Sequence, residues 1–381
     1  MPQDRSSIPP EAFCRLLQEA GFDFITGVPD STFGGLIDHL PQSGMRHVSA
    51  SCEGEGCALA VGYHLGTGRR AVVYLQNSGL GNCVNPLTSL LDPAVYAIPV
   101  LLLVGWRGRP GQADEPQHAR MGLVTEELLR TLGVAWSIAP SSVAEMADRL
   151  RDVNGHFDHA SAPYAMLFPS GVIERTPAAT PAPDDGSLMT REEAIETIVD
   201  ALPAHAVVVC TTGKASRELY EIRARRTREA AMDFFTVGAM GFAVAIAHGI
   251  ALAQPSRPVF AIDGDGAALM HMGVFATVGH YRASGLVHLV IDNGLYESTG
   301  GATVSPSVRF DQVARGCSYA SAVLVSTAVD LQTALAANVA GPRLIVIHVA
   351  PGSRPDLGRP RTTPAENKGA FMAYLAQRIS L

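Results

Sequence analysis

Several familiar signatures are missing from this sequence. Its six cysteines (Cys14, Cys52, Cys57, Cys83, Cys210 and Cys317) form no CxxC pair and no finger spacing. That excludes a zinc module and a disulfide scaffold and reads as reduced cytosolic thiols. There is no GxGxxG, no GxxxxGK(S/T), no HExxH and no GxSxG, so dinucleotide, P-loop, zincin and serine-hydrolase chemistry lose their usual carriers. Charge is sparse: 17% of residues are charged, the net charge is −7, and no basic block is long enough to track a phosphate backbone. Nucleic acid is therefore not expected as a partner. The longest apolar stretch, around Ile98–Trp106, is far too short to cross a bilayer. The amino-terminal MPQDRSSIPPEAF carries no apolar secretion core. A cytoplasmic protein with no membrane partner is expected.

What is present is apolar bulk, 47% of 381 residues, which suits two or three domains with large buried layers. Short apolar runs alternate with helical patterns throughout. Near the start, Phe13, Leu16, Leu17 and Ala20 repeat on one helix face and Gly21 stops it. The runs AVVYLQ (71–76), PVLLLV (99–104), AVVVC (206–210), PVFAI (258–262), VHLVI (287–291) and LIVIHV (344–349) are apolar on both faces. Such strands belong to parallel sheets covered on both sides. ERTPAATPAPDDGS (174–187) interrupts the alternation and reads as a linker. The expected fold is therefore α/β: two doubly wound parallel-sheet domains, 1–173 and 188–381, with no middle domain. Thr190 with Glu193 forms a capping box at the first helix of the second half, and one long helix is expected over 267–282.

The sharpest chemical signal lies in that second half. Gly264-Asp265-Gly266-Ala267 follows the strand PVFAI and opens a helix, and Asn293 stands at the end of the next strand. Adjacent parallel strands would place Asp265 and Asn293 together at their carboxyl ends, where open α/β sheets bind ligands. The helix start offers N–H groups to a phosphate. A carboxylate with an amide oxygen suits Mg²⁺, which completes its octahedron with phosphate oxygens and water.

GDG followed by such an Asn resembles the fingerprint of thiamine-diphosphate enzymes. Cys52-Glu53-Gly54-Glu55-Gly56, then Gly62-Tyr63, resembles their acidic helix start; Glu53 fits the spacing, and Glu55 is its rival. Gly238-Ala239-Met240-Gly241 resembles their pyrimidine-binding turn. A closer similarity covers nearly the whole chain. GVPDS (27–31), YLQNSGLGN (74–82), NPLTSL (85–90), GWRG (105–108), DEPQH (114–118), TTGKASREL (211–219), GDGAALMHMG (264–273) and STGG (298–301) resemble the phosphonopyruvate decarboxylase family. The related sulfopyruvate decarboxylases share part of this set. Phe242, Tyr296, Glu297 and Ala302 depart from the family's usual His, His, Asp and Gln.

The resemblance implies thiamine diphosphate and Mg²⁺ as cofactors, and the conversion of a 2-oxo acid to an aldehyde, phosphonopyruvate to phosphonoacetaldehyde in phosphonate biosynthesis. Sulfopyruvate, or another 2-oxo acid with carboligation, is the alternative, and a non-catalytic paralogue ranks below both. Catalytic roles fall to Glu53, Asp30, Ser31 and His118. Cofactor contacts fall to Glu53, Asn77, Ser78, Gly79, Thr212, Gly213, Gly238, Met240, Gly264, Asp265, Gly266, Ala267, Asn293, Leu295 and Tyr296. Metal ligation falls to Asp265, Asn293 and Leu295. The substrate is assigned to Asp30, Ser31, Arg107 and Phe242, with Arg109 and Lys214 as further cations for an anionic tail. Self-association to a homodimer or larger is implied, with sites formed between subunits.

Overall fold

The computed structural model describes residues 7–175, 188–226, 230–297, 299, 301 and 303–377. Positions 176–187 of the expected linker, and Ser298, Gly300 and Ala302 around the STGG stretch, lie outside the described residues. The chain divides into two compact units, Met1–Ala179 with Thr299–Ala302, and Thr180–Ser298 with Thr303–Leu381.

The first unit holds the strands β1 (Phe24–Gly27), β2 (Arg46–Ser49), β3 (Ala71–Gln76), β4 (Val100–Gly105), β5 (Ala135–Ile138) and β6 (Tyr164–Phe168). They form one sheet in the order β2-β1-β3-β4-β6-β5, with every pairing parallel. The second unit holds β7 (Val207–Cys210), β8 (Asp233–Phe235), β9 (Val259–Gly264), β10 (Leu286–Asp292), β11 (Ser321–Val325) and β12 (Arg343–His348). Its order is β11-β12-β10-β9-β7-β8, again parallel throughout. Counted from each unit's own first strand, the two orders are identical. Both sheets are closed off in the same way too. The segment just ahead of the first helix bridges in parallel to the stretch after the last strand, Ile8 to Ile173 and Thr190 to Ala350.

The two-sided burial expected from sequence is visible residue by residue. In β4, Leu101 and Leu103 enter one core while Val100, Leu102 and Val104 enter the other. In β10, Val287, Leu289 and Ile291 face one layer and Leu286 and Val290 the opposite one. Strand alternation with period two produces this, and helices cover both faces.

Three elements place the residues that matter. The helix Glu53–Thr67 starts from an extended Cys52 and ends at Gly68 in the left-handed conformation. Its small Gly56 rides against Val73 and the Gly27 backbone, so the helix start sits close over β1 and β3. The capping box at Thr190 forms as expected. The expected helix 267–282 is instead two short ones, Asp265–Met270 and Val274–Tyr281, interrupted at His271. The donors after Asp265 therefore begin a six-residue helix, not a long one. Neither β11 nor the helix Phe310–Gly316 was anticipated from the sequence pattern. Among the described residues, no helix is long and apolar enough to cross a membrane.

Candidate active site

Each unit gathers its own share of the predicted residues at the carboxyl ends of its strands. In the first unit Glu53 is 6% exposed and its carboxylate lies on the Gly79 backbone. A Cβ built at Gly79 would come 2.6 Å from both Cγ and Cδ of Glu53. Asn82, which sequence reasoning did not single out, donates from Nδ2 to Glu53 Oε2 at 2.6 Å. The rival Glu55 is exposed and accepts from the Ser51 N–H and hydroxyl at the preceding turn. It acts as a local cap. Of the two, Glu53 is the buried carboxylate at this helix start and Glu55 the exposed one.

Beside it runs a polar chain along the ends of β1, β3 and β4. Asp30 is fully buried; Oδ1 accepts from the Thr32 N–H at 2.9 Å and Oδ2 from Gln76 Nε2 at 2.7 Å. Gln76 Oε1 accepts from the Ser78 hydroxyl at 2.6 Å. Asn77 grips the Arg107 backbone reciprocally, donating to its carbonyl at 2.8 Å and accepting from its N–H at 3.2 Å. The Arg107 guanidinium donates from Nε to Asp114 Oδ2 at 2.8 Å and from Nη1 to the Ser31 hydroxyl at 3.0 Å. Arg107 is therefore a fixed, largely compensated cation and not a free clamp. Its hydrogen bond holds the Asp114 carboxyl below the usual range. His118 is buried; burial, reinforced by Arg107, holds its imidazole below its ordinary pKa. Arg109 stacks over Trp106, 5.2 Å from the ring centroid.

The second unit assembles a hard-oxygen site. β9 and β10 pair with Val290 opposite Asp263 and Ile291 opposite Gly264, so Asp265 and Asn293 leave neighbouring strands side by side. Asp265 is 3% exposed. Its Oδ2 accepts from the hydroxyls of Thr303 at 2.6 Å and Ser305 at 2.7 Å. Ser305 also reaches Asp292 Oδ1 at 2.7 Å. Burial pushes the Asp265 carboxyl up to about 6, opposed by those two hydroxyls. Asn293 Oδ1 accepts from the Leu295 N–H at 3.0 Å, which turns the chain so that Tyr296 packs on Gly266. A Cβ there would be 2.9 Å from Tyr296 Cδ1, so the close approach needs glycine.

Next to this, Gly238, Ala239 and Gly241 have φ of 71°, 47° and 87°. A left-handed alanine between two left-handed glycines is a strained backbone of the kind found at binding turns. Met240 sits half-buried within this turn. The Gly238 N–H reaches Thr212 Oγ1 at 3.4 Å, which ties the turn to the Thr212-Gly213 exit of β7, where Gly213 also has positive φ. Ala267 is buried behind Asp265. Phe242, 41% exposed, stacks on His271 with centroids 4.0 Å apart. Glu297 pairs with Arg191, and Lys214, named above as a further cation for an anionic tail, lies 3.9 Å from the same carboxylate.

The donor set fits the groups the sequence implied. Among the described residues no three His, Cys, Asp or Glu side chains cluster to hold a metal. A single carboxylate and an amide oxygen leaving neighbouring strands are hard donors of the kind Mg²⁺ takes when phosphate oxygens and water complete its shell.

Residues 10–126 match the thiamine pyrophosphate enzyme N-terminal TPP-binding domain, and residues 211–349 match the C-terminal TPP-binding domain of the same enzymes. A phosphonopyruvate decarboxylase of Streptomyces viridochromogenes is 40% identical over 93% of this chain and 92% of its own length. One from Streptomyces hygroscopicus is 41% identical, covering 94% and 91%. A sulfopyruvate decarboxylase of Methanosarcina acetivorans is 26% identical, covering 77% of each. The chain belongs to the thiamine pyrophosphate enzymes, within the phosphonopyruvate decarboxylase family.

Proposed function

We propose that this protein decarboxylates phosphonopyruvate to phosphonoacetaldehyde with thiamine diphosphate and Mg²⁺. The observation that carries the reading is the seat of Glu53: a buried carboxylate on a helix start, set against a glycine backbone and oriented by Asn82. Thiamine diphosphate, when bound, supplies the electron sink that a departing CO₂ requires. Glu53 would hold the proton at the cofactor's pyrimidine edge. Asp265, Asn293 and the Leu295 carbonyl would hold Mg²⁺. The Thr212-Gly213 and Gly238–Met240 turns, with Gly264, Gly266, Ala267 and Tyr296, would line the cofactor, joined by Asn77, Ser78 and Gly79.

Substrate handling falls to the chain Asp30, Gln76, Ser78 and to Ser31 under Arg107. Asp114 meets most of the Arg107 charge and fixes its Nε–Nη2 edge, which leaves the Nη1 edge at Ser31 as the side that would meet a phosphonate oxygen. His118, held below its ordinary pKa by burial and Arg107, would offer a neutral ring nitrogen as a hydrogen-bond partner. Phe242, partly exposed beside His271, would border the substrate. Homodimerisation or higher self-association belongs to the same reading. Purified protein with thiamine diphosphate and Mg²⁺ is expected to release CO₂ from phosphonopyruvate. Turnover of sulfopyruvate alone would move the assignment to the substrate named for the 26%-identical relative, and no turnover of any 2-oxo acid would end it.

A further inference from the structure

Glu297 is where this chain writes Glu in place of the family's usual Asp, and the structure gives it a task away from the substrate. Its Oε2 pairs with Arg191 Nη1, with Lys214 Nζ 3.9 Å away. Its Oε1 accepts the Gly352 N–H. The Arg191 guanidinium turns its other edge to Glu218 as a fork, Nε to Oε2 at 2.6 Å and Nη2 to Oε1 at 2.7 Å. Arg191, Glu218 and Glu297 side chains are each exposed by 8% or less. This is a covered cluster of one cation and two anions, with the part-exposed Lys214 at its rim and partners on three segments distant in sequence.

The position of that cluster matters. Two residues before Glu297, the Leu295 carbonyl is a candidate metal ligand, and Asn293 two residues earlier is another. The near end of this stretch is held by Asn293 Oδ1 on the Leu295 N–H and by the Thr303 N–H on the Gly294 carbonyl at 2.8 Å. Tyr296 on Gly266 holds its middle. The far end is held by Glu297. A backbone carbonyl has no side-chain rotamer to aim it, so its direction is set by what fixes the chain on either side.

We infer that Glu297 is a positioning residue: through Arg191 and Gly352 it fixes the Asn293–Tyr296 segment so that its oxygens present a preformed cation site. Outer contacts of this kind typically carry about 10–100-fold of metal affinity. The inference rests on the thiamine-diphosphate and Mg²⁺ reading above.

The test compares wild type with Glu297→Gln and Glu297→Asp. Gln leaves an amide donor facing the Arg191 donors. Asp keeps the charge but is one methylene too short to span Arg191 and Gly352 together. Calorimetric titration of thiamine diphosphate at stepped Mg²⁺ is expected to show the Mg²⁺ half-saturation raised about tenfold or more in Glu297→Gln, and by less in Glu297→Asp. The kcat at saturating Mg²⁺ and cofactor is expected to stay near wild type. A merely structural role would reduce the folded fraction and leave the half-saturation where it was. Unchanged half-saturation in the folded Asp variant overturns the inference, even if Gln fails to fold. Wild type that takes up no cofactor at any Mg²⁺ concentration overturns the underlying functional reading instead.

Discussion

The placement of Glu53 can be tested without touching Glu53. Gly79 has φ −73° and ψ −13°, a right-handed conformation that alanine adopts freely. By itself a compatible Gly→Ala change stabilises a fold by about 0.4–1 kcal/mol, through the unfolded chain. The added methyl, however, would stand 2.6 Å from Glu53 Cγ and Cδ, where ordinary contact begins at 3.4 Å. The obstructed atoms belong to a side chain and not to backbone, so the fold can absorb the methyl by turning the Glu53 side chain away. The carboxylate must then retreat by roughly 1 Å, stretching its 2.6 Å bond to Asn82. A 1 Å misplacement of a reacting group costs about 10²-fold in rate, or about 2.7 kcal/mol of barrier. Gly79→Ala is therefore expected to stay folded in urea melts, at a cost of no more than about 1–3 kcal/mol, and to bind cofactor. Its turnover of phosphonopyruvate at saturating cofactor and Mg²⁺ should fall about 100-fold. If the variant is fully folded, cofactor-loaded and within about threefold of wild-type kcat, a carboxylate seated on Gly79 is not the group that the chemistry uses.

Glu53→Gln should retain cofactor by calorimetry and lose turnover by orders of magnitude; full activity would show that the acid is misassigned. Asp265→Ala should weaken Mg²⁺-dependent cofactor uptake, and chelation of Mg²⁺ should do the same to wild type in a reversible way. The third outcome concerns pH. His248 is buried, neither ring nitrogen finds a partner among the described residues, and burial lowers its pKa. Below about pH 6.5 the unfolded chain takes up a proton here that the folded protein refuses, so stability falls as pH falls until the folded pKa is also passed. His248→Leu removes that proton uptake and the unpaired nitrogens. Urea melts should show it gaining more stability at pH 5.5 than at pH 7.5, and equal gains at both would contradict the linkage.

The two-sheet architecture was legible because parallel strands buried on both faces have to be continuously apolar. AVVYLQ reads as a strand with no knowledge of its neighbours, and β3 spans those same residues. The juxtaposition of Asp265 and Asn293 was legible for a related reason: consecutive strand exits are brought together whenever their strands pair in register. Thr303 and Ser305 were not. They reach Asp265 from 38 and 40 residues away by a loop that obeys no period. Asn82 was hidden differently, as one more polar residue in a helix, and only its proximity to Glu53 gives it meaning. The break at His271 was missed because Met-His-Met-Gly holds no proline and only a weak stop. The orientation of Glu297 depended on Arg191, more than 100 residues earlier, and no local pattern announces such a partner.

The repeated strand order has a consequence of its own. With the same wiring drawn twice, every strand exit in one half has a counterpart in the other, although no internal repeat shows in the letters. The third strand delivers Asn77-Ser78-Gly79 in one copy and Asp265-Gly266 in the other; the fourth delivers Arg107 in one and Asn293 in the other. One ancestral blueprint, once doubled, would need only new side chains at those matching outlets to split the labour, amides and a guanidinium on one side and oxygen ligands on the other. On that view, grafting residues between corresponding outlets should disturb chemistry far more than folding.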